Sequence, residues 1–433
     1  MQQQARQMTP GYGLLLLFLA NFLNYADRAL LGIVIDPVKA DLLLSDTEMS
    51  IVSGTAFVFF NLLMGIFIAR WVDVGNRKLI LILGIALWSG ATALTGLAEG
   101  FWSLAITRVL VGVGEAAAFP VAISFIADLF SAPKRPRAIS IFHSSMFVGL
   151  VLGSIVAGVL AAAEGWRVMF IACGLAGFLL VGVMLLTMHE PARVRENADR
   201  DGGPAIGGVP ANLVQAIGQL LRLPGYVLLG LGMAFAGMGV TVLPTWAPAF
   251  LLRSHDVPLA AVGALIGPAV GIGGIAGTLA AGFAATFLVR KHGHDIHAML
   301  VPLIAVPLAA PFFLLFTMVP SLTAAMSSAA IMNFLLGSAI PPCIAVGIAI
   351  SPSNMRALSS TLMLITSGII GGALGPLAVG MVSDLLQAEM GTESLRYALA
   401  TMAPMPLLAG VFLWLAYRQM RAALPNPPVS AAA

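Results

Sequence analysis

Charge is scarce in this chain. Lys, Arg, Asp and Glu make up 9% of its 433 residues while 59% are hydrophobic, against about 25% charged residues in a soluble globular domain. So few charges argue against a soluble enzyme or binding module and for an integral membrane protein. Cysteine is nearly absent as well. Cys173 and Cys343 both lie in apolar runs, which argues against a disulfide framework and against thiolate metal ligation. Neither cysteine has His or Cys neighbours at metal-ligand spacing, and nothing in the chain resembles a metal site, a phosphate loop or a nucleophile elbow. Neither a metal, a cofactor nor an enzyme is expected. The net charge of +3 gives no reason to expect a nucleic-acid partner, since the basic residues follow membrane topology.

What the chain has in abundance is long apolar runs. The first starts at Gly11 and continues to about Ile35, too long for a signal-peptide core, and is read as a retained helix. Runs of about 20 residues, enough to cross a bilayer, recur at 11–35, 48–69, 79–98, 102–130, 138–163, 167–188, 224–251, 258–288, 298–318, 321–350, 357–383 and 397–417. The predicted fold is therefore all-α, with twelve transmembrane helices in two six-helix bundles. Residues 1–188 form the first bundle, 189–222 a cytoplasmic linker, and 223–433 the second bundle with a short tail. In the linker Leu213, Val214, Ile217, Leu220 and Leu221 have helical spacing. Sixteen Lys and Arg fall in the loops and ends on one side, four (Lys39, Arg167, Arg253, Arg396) on the other, and Arg28 and Arg108 within helices. The positive-inside rule then puts both termini in the cytoplasm, in a plasma (inner) membrane protein.

The chain also repeats itself. Ala69 to Lys78, after the second helix, and Gly282 to Lys291, after the eighth, share a small-x-x-x-[Asp/Thr]-x-x-x-Arg-Lys frame 213 residues apart, and Gly54 and Gly267 stand at the same offset. Arg137-Ala138-Ile139-Ser140 and Arg356-Ala357-Leu358-Ser359 open the fifth and eleventh helices 219 residues apart, with Gly149 and Gly153 matching Gly368 and Gly372. A six-helix unit duplicated in parallel orientation is the pattern of a two-bundle transporter.

The ionisable residues within the helices narrow the chemistry. Asp27 and Arg28 are adjacent in the first helix, and Arg108 and Glu115 lie seven residues apart in the fourth, about 10.5 Å along one helix face. Each such group costs about 2.5–3.5 kcal/mol or more in a bilayer, so it marks a cavity, a proton relay or a paired network. We expect an Arg28–Glu115 ion pair with Asp27 adjacent and Arg108 nearby, all facing a central cavity. A static network that merely fixes packing of the first and fourth helices is the alternative. Arginine does not lose its proton, so Asp27 or Glu115 is the candidate proton carrier, with His143 a weaker one. The six helices of the second half, as bounded, hold no Asp, Glu, Lys, Arg or His. Trp246, Asn333 and Thr366 are among the few groups that could give that wall any polarity. A cavity charged on one side and oily on the other suits an amphipathic substrate.

Four segments carry a family resemblance: Asn24-Tyr25-Ala26-Asp27-Arg28, Asp73-Val74-Gly75-Asn76-Arg77-Lys78, Arg108-Val109-Leu110-Val111-Gly112-Val113-Gly114-Glu115-Ala116, and Gly165-Trp166-Arg167. Together with twelve helices and the repeated loop, they resemble the major facilitator superfamily over nearly the whole chain, and within it the Spinster-like branch, associated with sphingolipid and lysophospholipid transport. Ala69, Val74 and Gly371-Gly372 depart from the family pattern. The resemblance implies alternating access, a headgroup and ion-pair site at Asn24, Tyr25, Arg28 and Arg108, and a cytoplasmic gate at Asp73, Arg77, Lys78, Asp128 and Arg137. The expected function is a proton-coupled secondary transporter of an amphipathic, lipid-like or organic anion, acting as a monomer among membrane lipids. The alternatives are a drug–proton antiporter or organic-anion symporter on the same fold and, from another class, an uncoupled lipid scramblase or channel.

Overall fold

The computed structural model describes residues 8–131, 134–191, 213–352 and 355–423. Ten helical stretches among them are long and apolar enough to cross a membrane. Two of these, Arg137–Thr187 with 51 residues and Leu358–Ala422 with 65, exceed one bilayer crossing about twofold or more. The first breaks at Gly165, whose φ of +83° lies outside helical space, and the second at the tight turn Gly391–Glu393. Counting each as two gives twelve spans: α1 Pro10–Ile33, α2 Asp46–Val72, α3 Arg77–Thr95, α4 Phe101–Leu129, α5 137–164, α6 166–187, α7 Tyr226–His255, α8 Leu259–His292, α9 Asp295–Met318, α10 Leu322–Ala349, α11 358–390 and α12 394–422. The described part of the linker contributes a short helix, Leu213–Leu221, with Leu220 buried and Val214 exposed.

Local sequence sets the helix ends. Thr9 caps α1, Asn76 caps α3, and Ser45 opens α2 in a reciprocal capping box with Glu48. Each satisfies backbone N–H groups that a helix start leaves without partners. At Gly165 a left-handed residue turns the chain from α5 straight into α6, a conformation glycine adopts without steric cost. The next two residues then anchor the corner. Trp166 Nε1 donates to Asp41 at 3.1 Å, and Arg167 pairs with Asp41 at 2.9 Å and donates to the carbonyl of Ala98 at 2.7 Å.

The two halves meet along α1 against α7, α2 against α11, and α5 against α8, where small residues bring backbones together. A Cβ on Gly32 would stand 2.6 Å from the carbonyl oxygen of Pro244, one on Gly263 1.9 Å from that of Ser154, and one on Gly54 3.2 Å from that of Gly372. Alanine at the first two would force the helices apart. Both α2 and α11 carry a π-helical turn where they touch, at Ile51–Thr55 and Gly368–Leu374, and Thr55 Oγ1 donates across the seam to Ala373 O at 3.2 Å. Wide turns of this kind recur at functional sites because they redirect backbone carbonyls. Gly54 and Gly267, matched in the sequence repeat, each pack against the other half. We call the face carrying the first and last described residues the terminal face, and the opposite one the far face.

Candidate functional site

A cavity of about 310 Å³ lies between the halves. From the first half it is lined by Tyr25, Arg28, Leu31, Ser53, Phe57, Arg108, Phe147 and Leu150, and from the second by Val240, Thr241, Thr245, Val270, Thr278, Asn333 and Ile340. Among the described residues, Arg28 and Arg108 are the only charged ones in its lining. Arg28 Nε donates to Glu115 Oε2 at 2.8 Å, while its two Nη atoms donate no hydrogen bond among the described residues; the side chain is 32% exposed, its partner 0%. Tyr25 and Phe57 flank the guanidinium with ring centroids at 4.7 and 5.1 Å, and Phe57 also lies 5.7 Å from Arg108. These faces stabilise a cation without neutralising it.

Asp27 is placed differently from its neighbour. Adjacent helical residues point about 100° apart, and here the turn decides which space each one sees. Tyr25, Arg28 and Leu31 share the cavity face of α1. Asp27, with Phe22, Leu23, Ala26 and Leu30, lines a separate space of about 150 Å³ inside the first bundle, between α1, α3, α5 and α6. The expectation that all four charged groups face the central cavity is therefore corrected: Arg28 and Arg108 do, whereas Asp27 and Glu115 stand behind them. Asp27 Oδ1 accepts from Thr92 Oγ1 at 2.6 Å, and Oδ2 lies 3.5 Å from Arg108 Nη1. That ion pair is the wall between the two cavities. Asp27 Oδ2, Glu115 Oε1 and Arg108 Nε and Nη1 are buried without a hydrogen-bond partner. A buried charge lacking full hydrogen bonding is costly, so the network has unused capacity for a proton or a ligand.

Other sequence-predicted residues divide. Asn333 lines the central cavity with its Nδ2 lacking a hydrogen-bond partner. Trp246 does not line it: the indole is fully buried and donates to Pro376 O at 3.0 Å, bracing α7 against α11. Thr366 Oγ1 returns to its own helix at Leu362 O, 2.8 Å away, and is absent from the lining. Asn24 is 2% exposed and lines neither cavity. His143 is exposed on α5 beside Phe119 and Phe142 and lines neither.

The loop after α2 is built into its own half. Arg77, 1% exposed, is paired with Asp128 and Glu190 and donates to Ser124 Oγ at 2.9 Å and Pro191 O at 3.0 Å. Lys78 supplies its backbone N–H to Glu190 at 2.7 Å and its ammonium to Leu185 O at 3.1 Å. These contacts tie α3 to α4 and the end of α6, with no bond to the second half among them. Arg137 is exposed at the start of α5. The side chain of Asp73 lies outside the described residues.

The far face holds a cross-half network that sequence reasoning missed. Arg253, near the end of α7, donates to Asp36 at 2.5 and 2.9 Å and to Asp46 at 2.8 and 2.9 Å. Asp46, fully buried, also accepts from Lys39 and from Ser383, each at 2.6 Å. The carboxylate of Asp384 in α11 accepts the backbone N–H groups of Asp46 and Thr47 at 2.9 and 2.7 Å. It is an anion seated on the N-terminus of α2, where dipole and free donors favour it. The sequence shows the acidic cluster but not its partner. Asp36, Asp41 and Asp46 crowd the short connection after α1, itself helical over Ile35–Leu42, and Arg253 is one of four basic residues on that side.

The sequence profile described as Major Facilitator Superfamily matches residues 17–376. This chain belongs to the major facilitator superfamily. A Mycolicibacterium smegmatis protein described as an MFS-type efflux pump is 30% identical over 407 residues, covering 94% of this chain and 92% of that protein. Spinster homolog 1 of Xenopus laevis is 28% identical over 435 residues, covering 92% of this chain and 78% of its own length. The crystal structure of a bacterial homologue of the human lysosomal transporter Spinster, inward-facing and unoccupied, superposes with a TM-score of 0.86 at 26% identity, covering 96% of this chain and 99% of that one. Within the superfamily the chain is Spinster-like, a multi-pass membrane transporter. The Gly-Trp-Arg corner and the Arg28–Glu115 contact are where three of the four resembling segments fall in the fold.

Proposed function

We propose that this protein is a proton-coupled carrier of amphipathic anions that works by alternating access in the plasma membrane, with both termini cytoplasmic. The observation that carries the reading is the charge on the central cavity: both ionised side chains in its lining are cationic, while the carboxylates that balance them lie behind. A headgroup anion docks on the free Nη edge of Arg28, planar and suited to bidentate oxyanions. Its chain runs along Leu31, Phe147, Val240, Val270 and Ile340. Asp27 and Glu115 carry the proton. The far-face network, closed here, is the outer gate of an inward-facing state.

On this reading the coupling has a definite sign. Neutralising Glu115 or Asp27 releases Arg28 or Arg108, so the cavity becomes more positive and an anion binds more tightly. Affinity for an anion therefore rises as pH falls, by at most about tenfold per pH unit for one coupled proton. The relative described as an efflux pump supports a second reading, drug–proton antiport, in which substrate and proton compete and affinity falls with acidification. Binding of decanesulfonate, whose charge does not titrate, to protein in nanodiscs at pH 8 and pH 6 separates the two. Tighter binding at pH 6 supports the anion carrier; weaker binding favours the antiporter. Substrate flux indifferent to an imposed proton gradient in proteoliposomes removes both and leaves an uncoupled scramblase or channel.

A further inference from the structure

The space behind Asp27 is not part of the substrate path described above. Its walls are Phe22, Leu23, Leu30 and Trp88, with Leu152 and Val156 from α5 and Cys173 and Ala176 from α6. Leu152 and Val156 are each 45% exposed, and Ala176 is exposed as well. These three stand at the mouth of a fissure between α5 and α6, on the side of α5 turned away from Phe147 and Leu150 in the central cavity. On the other side the wall is sealed: a Cβ on Gly174 would come within 2.5 Å of Ala93 N, and one on Gly177 within 1.9 Å of Ser89 Oγ. The fissure therefore opens toward the hydrocarbon of the bilayer. Three polar residues lie deep in this otherwise oily space, Asp27 at 6% exposure and Ser89 and Thr92 at 1%; Thr92 is spent on Asp27 Oδ1, while Asp27 Oδ2 and Ser89 Oγ keep no hydrogen-bond partner.

We propose that this fissure is a lateral binding site for a short alkyl chain ending in a hydroxyl, which enters from the bilayer and hydrogen-bonds Asp27. The chemistry selects that class. The apolar walls exclude an ion or a sugar, because desolvating either costs more than two oxygens can return. A plain hydrocarbon fits the walls but leaves both oxygens unmet. A hydroxyl donates to the carboxylate and accepts from Ser89, using both. An ammonium is disfavoured, because Arg108 already stands 3.5 Å from the carboxylate and a second cation would be repelled. The groups around Asp27 are Thr92 from α3, Arg108 and Glu115 from α4, Cys173 from α6 and Arg28 on its own helix, while α5 contributes only Leu152, Gly153 and Val156 to the lining. A ligand seated there holds the carboxylate that faces Arg108 across the cavity wall, so it acts on the central site without entering it.

Photolabelling with a diazirine analogue of octanol tests this in nanodiscs. Adducts are expected on peptides carrying residues 22–30, 152–156 or 173–177, reduced at least fivefold by excess octanol and not by octyl methyl ether, which has no donor. Val156→Trp, at an exposed position where folding is not at stake, is expected to remove the protected adduct. Asp27→Asn keeps an acceptor oxygen and retains labelling, whereas Asp27→Leu loses it. Adducts elsewhere, equal protection by the ether, or labelling unchanged in Val156→Trp each overturn the proposal. Binding is read without a proton gradient or a transported substrate. Its failure therefore leaves the carrier reading standing, and failure of that reading leaves this site standing.

Discussion

At the scale of residues, one turn of α1 sorts two neighbours into separate compartments. Asp27 meets Thr92 and Arg108 inside the first bundle, and Arg28 meets Glu115 at the rim of the central cavity. The buried acid is the group we expect to carry the proton, so Asp27→Asn should abolish proton-driven transport while the protein remains folded. The check is transport against pH in proteoliposomes; a wild-type pH profile in the Asn variant removes Asp27 from coupling. The Arg28–Glu115 pair gives a second expectation. Removing one partner of a buried pair typically costs about 3–5 kcal/mol because the other charge is stranded. Glu115→Gln and Arg28→Ala should each be damaging and the double variant less than additive. Simple additivity of thermal stability in the cycle would mean the contact carries no coupling energy. Charge type and spacing made these four residues legible as a group. Which of them face the cavity was not, because that depends on helix rotation, and each helix here is apolar on several sides.

At the scale of elements, apolar length and loop chemistry located the helices to within a few residues, while the roles of two loops needed tertiary contacts. The loop between α2 and α3 reads as a gate from its family motif, yet Arg77 is buried beneath it and held by Asp128, Glu190, Ser124 and Pro191. A guanidinium with that many partners is a structural rivet. Arg77→Ala removes the buried guanidinium that Asp128 and Glu190 share, and the expected outcome is a loss of stability of about 3 kcal/mol with ligand affinity per folded molecule retained. Thermal unfolding of the purified variant, with decanesulfonate binding measured on the folded fraction, checks it. Unchanged stability with an altered conformational population would restore the gate assignment. The loop between α1 and α2 shows the converse. It reads as an unremarkable acidic connection, because nothing in a linear sequence pairs Asp36 and Asp46 with an arginine more than 200 residues away. Only the folded arrangement of α7 against α1 and α2 joins them.

At the scale of the whole molecule, the two halves are held at the far face by polar bonds and at the seam by glycine contacts, and these differ in what they allow. Close backbone packing at Gly32, Gly54 and Gly263 requires the closed geometry but contributes only dispersion once it is reached. The Arg253 fork, spanning Asp36 and Asp46, is a tie that must break for the far face to open. Its solvent access is small but real, the guanidinium side chain being 12% exposed, so water can replace the lost partners as the halves part. Arg253→Ala removes that tie and leaves Asp36 and Asp46 facing each other, with Lys39 the one remaining cation on them among the described residues. A net loss of about 2 kcal/mol from the closed state changes a two-state ratio about thirtyfold, enough to turn a minor open population into the major one without unfolding either bundle. Spin labels at Leu43 and Leu385, both well exposed on this side, should show a new longer distance in Arg253→Ala and partial return in Arg253→Lys. The lysine keeps the charge but cannot span both carboxylates. If the alanine variant instead keeps the wild-type distances and transports at the wild-type rate, the fork is packing alone. Far-face closure would then rest on the anchoring of α2 by Asp384 and on the glycine seam.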